Sequence, residues 1–484
     1  MGQGLRQRRS AIRQENQNQP IPNINHMTNH KTFLLLITMI AALGGFLFGF
    51  DMAVVSGIIE PLKLQFNLTS AQEGWFVSSA LLGCIGGVAF SGYLSDQIGR
   101  KKVLFIAALL FFISAVGFAS SGSYTLLIFF RILAGVGVGV ASNISPLYIS
   151  EMSPAKNRGS LVTYYQLALT IGILLAYVSN YCLQGHASAA GIVANPAVLD
   201  WLFVSEVWRG MFLVGVIPAV LFCFLIFFVP ESPRWLLQKG RVEEAKTILS
   251  SIHGEKEGAI EMAGMNTGNV QVQGSFKALF NGPVRKVLIL VMVLTALAQF
   301  SGINGVIFYG PTILKSAGFV TNDALLYQMI LGTANVLFTF IAIWKVDTWG
   351  RRPLYLTGAM MAAAALALTG LCFLFGIKGM ALVSCIITFL FAFAFSLGPL
   401  KFVIATELFP TAVRGRALSI CIMTMWIADW LVNLMFPLMR DGLGIPATFF
   451  IFAFFCLFTF WYVKRNLPET KGQSLEEIEK DLIR

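Results

Sequence analysis

The chain has 484 residues, of which 56% are hydrophobic and only 12% charged, and its mean hydropathy is +0.73. A water-soluble domain needs less apolar content and more charge to clothe its surface, so the composition indicates an integral membrane protein. The net charge of +11 would suggest nucleic acid in a soluble protein, but here the basic residues follow membrane topology and no nucleic-acid partner is expected.

In chain order, residues 1–32 are polar and basic ("LRQRRSAIRQENQNQP") and are expected to form a disordered cytoplasmic tail. Arg6 breaks the N-myristoylation pattern. The first apolar run is too long for a signal-peptide core and no small-residue cleavage site follows it, so it reads as a membrane span. Windows of roughly 20 apolar residues, enough to cross a bilayer as a helix, lie at 33–57, 73–95, 102–121, 124–149, 159–182, 209–229, 285–309, 323–345, 353–376, 380–408, 416–439 and 445–463. The expected fold is therefore an all-α membrane protein with twelve transmembrane helices.

Between the first two spans, Asn67-Leu68-Thr69 is a glycosylation sequon, while Ser70 to Glu73 reads as a capping box that opens span 2; the cap is the preferred reading. The longest break, 230–284, contains the amphipathic stretch "RVEEAKTILSSI" and is expected to be a cytoplasmic linker with short helices. It separates an N-terminal six-helix bundle, 33–229, from a C-terminal one, 285–464, and residues 465–484 form a cytoplasmic tail. With the N-terminus inside, roughly 28 of the Lys and Arg are cytoplasmic, about 5 external and about 2 within spans. The expected location is the plasma membrane, the inner membrane in a bacterium, with both termini cytoplasmic.

Cys84, Cys182, Cys223, Cys372, Cys385, Cys421 and Cys456 have neither disulfide-framework nor metal-ligand spacing and read as packing residues. His26, His30, His186 and His253 lie in tails or loops, and no nucleophile and base converge within the spans. Neither an enzyme activity nor a cofactor or metal is expected.

Short charged motifs recur in the two halves, roughly 250 residues apart. "DQIGRKK", with Asp96 and Arg100, returns as "DTWGRR", with Asp347 and Arg351. "EMSPAKNRG", with Glu151 and Arg158, returns as "ELFPTAVRG", with Glu407 and Arg414. "PESPR", with Glu231, returns as "PETKG", with Glu469. Singly, each could be an ordinary positive-inside anchor. Together they predict two pseudo-symmetric bundles in the same orientation and a cytoplasmic salt-bridge network, expected to latch the halves when the site faces outward. Parallel repeats of this kind build alternating-access carriers with a midplane site.

On these motifs, and on "GFLFGFDMAVVSG", "RILAGVGVGVASNISPLYISEMSP", "QFSGINGVIFYGP" and "GPLKFVIATELFPTAVRG", the chain resembles the sugar porters of the major facilitator superfamily from about residue 33 to about residue 475. The resemblance implies that Gln166, Gln299, Asn304 and Asn335 bind sugar hydroxyls, which amides suit because they both donate and accept; helix-helix glue is the alternative for each. It also implies that Asp51, with Arg131, couples transport to protons, where uniporting relatives carry an uncharged residue; a static ion pair is the alternative. Phe308 and Tyr309 are candidates for an external gate, or else an aromatic packing patch.

The chain departs from the pattern at Ala298, Ala394, Phe402 and Met425, where an amide, a polar residue, a tryptophan and an amide are expected. Phe402 and Trp426 remain as aromatic candidates for the sugar site. Two charges, Lys401 and Asp429, stand where the family usually has neutral residues. Lys401 either snorkels to the inner interface or faces the cavity with Asp429 to meet a charged substrate. The leading expectation is a monomeric, bilayer-embedded proton symporter of a monosaccharide or polyol. A uniporter, a carrier of carboxylated or amino sugars, and a nutrient sensor are the alternatives.

Overall fold

The computed structural model describes residues 30–154, 158–191, 197–268, 279–280, 282–409 and 414–469; the side chains at 158–160, 264–268, 283, 341–349, 402, 406, 414 and 415 lie outside that description. Every described membrane-crossing element is a helix, as a bilayer interior demands of a chain that must satisfy its own backbone. The first half contains α1 (His30–Phe66), α2 (Ser70–Ile98), α3 (Arg100–Ser120), α4 (Tyr124–Met152), α5 (Arg158–Ala190) and α6 (Val207–Phe228). The second contains α7 (Gly282–Phe300, continued by Ile303–Ser316), α8 (Thr321–Trp349), α9 (Arg351–Leu374), α10 (Met380–Ala392, continued to Leu408), α11 (Arg414–Gly442) and α12 (Ile445–Asn466). Eleven of these are long and apolar enough to cross a membrane on their described residues; α8, 29 residues long, completes the twelve-helix, two-bundle layout. Pro233–Gln238, Val242–His253 and Glu255–Gly268 are short helices between the bundles. The end of the molecule that carries them is called the linker face here, and the opposite end the far face.

Glycines let the helices of the first half approach closely. A Cβ at Gly49 of α1 would stand 2.0 Å from the Leu169 carbonyl oxygen of α5, and one at Gly135 of α4 would stand 1.9 Å from the Ala80 oxygen of α2. The glycines of "GFLFGFD" and "LAGVGVG" are thus contact points between backbones, where dispersion gains replace the hydrophobic drive that lipid cannot supply.

Two helices are interrupted. In α7, Ser301 and Gly302 break the helix, with Gly302 left-handed at φ 79°. In α10, Phe393–Leu397 forms a wider turn in which the Gly398 N–H bonds back to the Phe393 carbonyl, immediately before Pro399, whose nitrogen has no hydrogen to donate. At the start of α2 the cap sits one residue earlier than expected. Thr69 is the N-cap and Gln72 returns the bond to its backbone, which releases Glu73 for a different role.

The repeated motifs meet at the linker face, once in each half. In the first half the Glu231 carboxylate accepts from the backbone N–H of Arg100 at 2.9 Å and of Lys101 at 3.2 Å. It therefore seals the N-terminus of α3, where the helix dipole favours an anion. The Arg100 side chain bonds Glu151 at 3.0 and 3.2 Å and Asp96 at 3.0 Å, and Ser232 donates to Glu151 at 2.5 Å. Burial pushes the Glu231 carboxyl up, while the N–H groups of Ser232, Lys101 and Arg100 and the Arg100 charge oppose that rise. In the second half Glu469 accepts from the N–H of Arg351 at 3.0 Å and of Arg352 at 3.1 Å, and Arg351 pairs with Glu407 at 3.0 Å. The side chains of Arg158, Asp347 and Arg414 lie outside the described residues.

The glycine in each Gly-Arg motif makes room for the carboxylate. Gly99 has φ 101°, and a Cβ there would meet Glu231 Oε2 at 2.2 Å. Gly99→Ala is therefore expected to destabilise the purified protein by about 1–3 kcal/mol from backbone strain alone, lowering its melting temperature. Gly122→Ala, at a position with nothing within 4 Å, should leave it unchanged. Equal melting curves for the two variants would remove the role assigned to Gly99.

Candidate functional site

In the first half, Asp51 of α1 and Arg131 of α4 form a buried ion pair, Nη1 to Oδ2 at 3.0 Å, with Arg131 only 1% exposed. The guanidinium also lies 5.7 and 5.8 Å from the ring centres of Phe76 and Phe212, so its surroundings are aromatic rather than aqueous. Among the described residues Arg131 Nε has no hydrogen-bond partner. A pair in such a setting holds because removing one member would strand the other, at about 3–5 kcal/mol.

In the second half the site is built on one stripe of α11. Trp426, Asp429, Asn433, Phe436 and Arg440 recur at intervals of three and four and so share a face of the helix. The break in α7 delivers Asn304 to that stripe: its Nδ2 donates to Asp429 Oδ1 at 2.6 Å, and Asn433 Nδ2 donates to the same oxygen at 2.8 Å. Lys401 is buried at 6% exposure, with its Nζ 5.8 Å from the Phe393 ring centre and its charge within reach of Asp429. It does not snorkel to the interface. Trp426, at the linker-face end of the stripe, is 5.6 Å from the Phe48 ring of α1, which brings the two halves together at mid-depth.

Gln299 is buried, and its Oε1 has no partner among the described residues; the same is true of Trp426 Nε1 and Trp430 Nε1. Buried polar atoms left over after internal bonding mark a surface that can receive a hydroxyl-bearing ligand. Gln166 is exposed. It lies seven and eleven residues before Ile173 and Tyr177, hence on the same face of α5, and Tyr177 bonds across to the Ile307 carbonyl of the other half at 3.0 Å. Phe436 and Arg440, towards the far face, are buried, whereas Gln166 on α5 is exposed.

Asn335 lines a narrow crevice with Tyr177, Gln328 and Gly332 rather than joining the Asp429 group. Phe308 and Tyr309 are buried, and Tyr309 stacks on Phe436 at 4.6 Å and donates to the Asn433 carbonyl at 3.3 Å. The Phe402 side chain lies outside the described residues.

The model of the family described as "Sugar (and other) transporter" matches residues 37–482. The chain belongs to this family of transporters. The porter is 38% identical over 462 residues to the arabinose-proton symporter of Bacillus subtilis, covering 95% of this chain and 97% of that protein. It is 36% identical over 484 residues to the D-xylose-proton symporter of Escherichia coli, covering 93% and 96%. Among solved structures, the partially occluded inward open conformation of the xylose transporter XylE from E. coli superposes with a TM-score of 0.80 at 34% identity, over 92% of this chain and all of that one (100%). The same transporter bound to 6-bromo-6-deoxy-D-glucose superposes at 0.78, with 34% identity and coverage of 94% and 100%.

Sequence reasoning did not single out Asn433, Gln328 or the ties that close the porter's far face. Glu73 of α2 and Arg440 of α11, 1% and 8% exposed, form a two-pronged pair at 2.8 and 2.9 Å. Lys63 bonds Glu73 at 3.1 Å, Asp441 bonds Arg440 at 2.6 Å, Ser70 reaches Asp441, and Lys315 of α7 reaches Glu60 of α1. An acidic residue opening one apolar run and a basic one closing another was the available signal.

Stranding one partner of a buried pair costs about 3–5 kcal/mol, and less here because Asp441 also holds Arg440. Glu73→Gln should therefore shift the population towards a far-face-open form. In a background lacking the native cysteines, Leu434→Cys, at a position whose backbone packs on Gly74 across this seam, should react with a far-side maleimide about tenfold faster for each 1.4 kcal/mol of that shift. Identical labelling rates with and without Glu73→Gln would show that the pair does not hold the seam.

Proposed function

We propose that the protein imports a monosaccharide, an aldopentose or hexose, together with a proton, by exposing one cleft to each side of the membrane in turn. The observation that carries this reading is the Asp51–Arg131 pair, an ionisable couple buried at 3.0 Å in the wall of a bundle otherwise packed with apolar side chains. A proton on Asp51 removes half of the pair, frees Arg131 from its counter-charge and changes the energy of every conformation in which the two must meet. The relatives named for arabinose-proton and D-xylose-proton symport support both the coupling ion and the substrate class.

The basic residues flanking the linker face support its being the cytoplasmic side, on which both termini would lie. On that orientation the cleft at Gln166 opens inward and the Glu73–Arg440 seam closes the outside. Gln166, Gln299, Asn304 and Trp426 would contact the sugar, and Phe308 and Tyr309 would move with the external gate. Neutral sugars are favoured over charged ones, because Asp429 already engages Asn304 and Asn433, and Lys401 lies against Phe393 with Asp429 in electrostatic reach. The chain would act as a monomer in the cell's plasma membrane, each half supplying the packing surface of the other.

One proton per sugar moving across 100 mV supplies about 2.3 kcal/mol, enough for roughly 50-fold accumulation. Proteoliposomes at equal pH on both sides with an interior-negative potential of about 100 mV should concentrate the sugar to that extent, and an inward pH gradient should raise the ratio further. Asp51→Asn should bring uptake only to equilibrium while retaining sugar exchange. Uptake by the wild-type protein that ignores the gradient, matched by Asp51→Asn, would remove proton coupling and leave a uniporter.

A further inference from the structure

The second half carries a feature that sugar binding and proton coupling leave without a role. Asp429 and Lys401 are both buried, 2% and 6% exposed. What Asp429 does bond is informative. Its Oδ1 accepts from Asn304 Nδ2 at 2.6 Å and from Asn433 Nδ2 at 2.8 Å, and the Asp429 main-chain carbonyl accepts from the same Asn433 nitrogen at 2.8 Å.

A carboxylate has acceptors only, whereas an amide has a donor end and an acceptor end that exchange places when it flips. If residue 429 were itself an amide, Asn304 could present either end to the cleft by flipping in concert with it. Opposite a carboxylate there is one choice: the NH2 end of Asn304 faces Asp429, and its carbonyl oxygen is left for the cleft. Asn304 is half-buried, so that oxygen has a route to a ligand. Lys401 supplies the positive charge that keeps a carboxylate tolerable at this depth. The widened turn of Phe393–Leu397, followed by Pro399, sets the helix segment that carries Lys401.

We infer that Asp429, supported by Lys401, is a positioning residue that locks the Asn304 amide with its carbonyl towards the cleft, so that the amide oxygen at this subsite accepts a hydrogen bond from a sugar hydroxyl. The inference rests on the sugar-porter reading and specifies the selectivity of its site. One ring hydroxyl of the substrate must then act as a donor. Fluorine in its place, which is no donor, should be rejected as strongly as hydrogen, although fluorine retains the size and polarity of the hydroxyl.

The test uses purified full-length protein and measures dissociation constants for the tightest binder among D-xylose, arabinose and D-galactose, and for its complete set of deoxy and deoxyfluoro analogues. Asn304→Ala identifies the ring position that Asn304 reads, as the position whose deoxy penalty it abolishes. At that position the wild-type protein should bind the deoxy and deoxyfluoro sugars equally poorly, roughly tenfold or more below the parent. The neutralised pair Asp429→Asn/Lys401→Met frees the amide to turn. It should recover the deoxyfluoro sugar by roughly tenfold relative to the deoxy sugar while unfolding at a temperature close to wild type. A residue that only supported the fold would lower affinity for all analogues together and leave that ratio alone.

The proposal is overturned if the wild-type protein accepts the fluorine at that position, if Asn304→Ala abolishes no positional penalty, or if the folded double variant keeps the wild-type ratio. Should the double variant fail to fold, the wild-type comparison of deoxy with deoxyfluoro sugar decides alone. Should no sugar bind the wild-type protein, the sugar-porter reading itself fails and the amide assignment falls with it.

Discussion

A charge that cannot reach water must be neutralised where it stands, and this constraint organises the whole transporter. A membrane-buried carboxylate or guanidinium is several kcal/mol too costly to leave alone, so each one dictates which helices must be neighbours. Asp51 and Arg131 join α1 to α4. Glu73 and Arg440 join α2 to α11. Arg100 and Glu151 tie the linker-face ends of α3 and α4. The apolar surface is common to all twelve helices and does not discriminate between arrangements, and the hydrophobic effect gives little preference for helix over lipid. Specificity comes from the few polar groups that must find each other.

These ties divide into two kinds by what they connect. The linker-face clusters operate within a half: Glu231 seals α3 and Glu469 seals α9, with the same geometry and from equivalent positions in the chain. They brace each bundle as a rigid body. The Glu73–Arg440 and Glu60–Lys315 ties cross between halves on the far face. Rigid bundles joined at one edge can rock, whereas bundles joined within themselves alone would separate. The expected latch between halves at the linker face concerns the opposite conformation, in which the side chains of Arg158 and Arg414, outside the described residues, would be needed. The described part of that network shows how each bundle keeps its shape while the seam changes.

Much of this was legible in the sequence because membrane helices announce themselves by length and hydropathy, and because duplication writes each motif twice. The spans at 124–149 and 380–408 fall almost on α4 and α10. The repeated Gly-Arg and Pro-Glu motifs became meaningful once Glu231 was seen to occupy the space that a Cβ on Gly99 would take. What sequence reasoning missed involves choices between equivalent local options or partners far apart in the chain. Thr69 displaced Ser70 as the cap of α2, since both offer a hydroxyl at nearly the same place. Glu73 and Arg440 are 367 positions apart, and the charges at the ends of their two apolar runs do not say that these runs are neighbours. The break at Ser301 and Gly302 could be suspected from "FSGIN", but not its consequence, that Asn304 is handed to Asp429.

That consequence shows how a site can lose hydrogen-bonding groups and still gain selectivity. With Ala298 and Met425 in place of amides, the second half has fewer adaptable donors and acceptors than the family pattern implies. Amides are permissive because they can turn to suit either end of a hydroxyl, and a site built from many of them tolerates several stereoisomers. A carboxylate has no second face to offer. Asp429 therefore removes a degree of freedom from its neighbours Asn304 and Asn433, at an electrostatic cost that Lys401 offsets. A buried carboxylate with a lysine in electrostatic reach can then narrow which sugars fit, by fixing the direction in which one amide must read them.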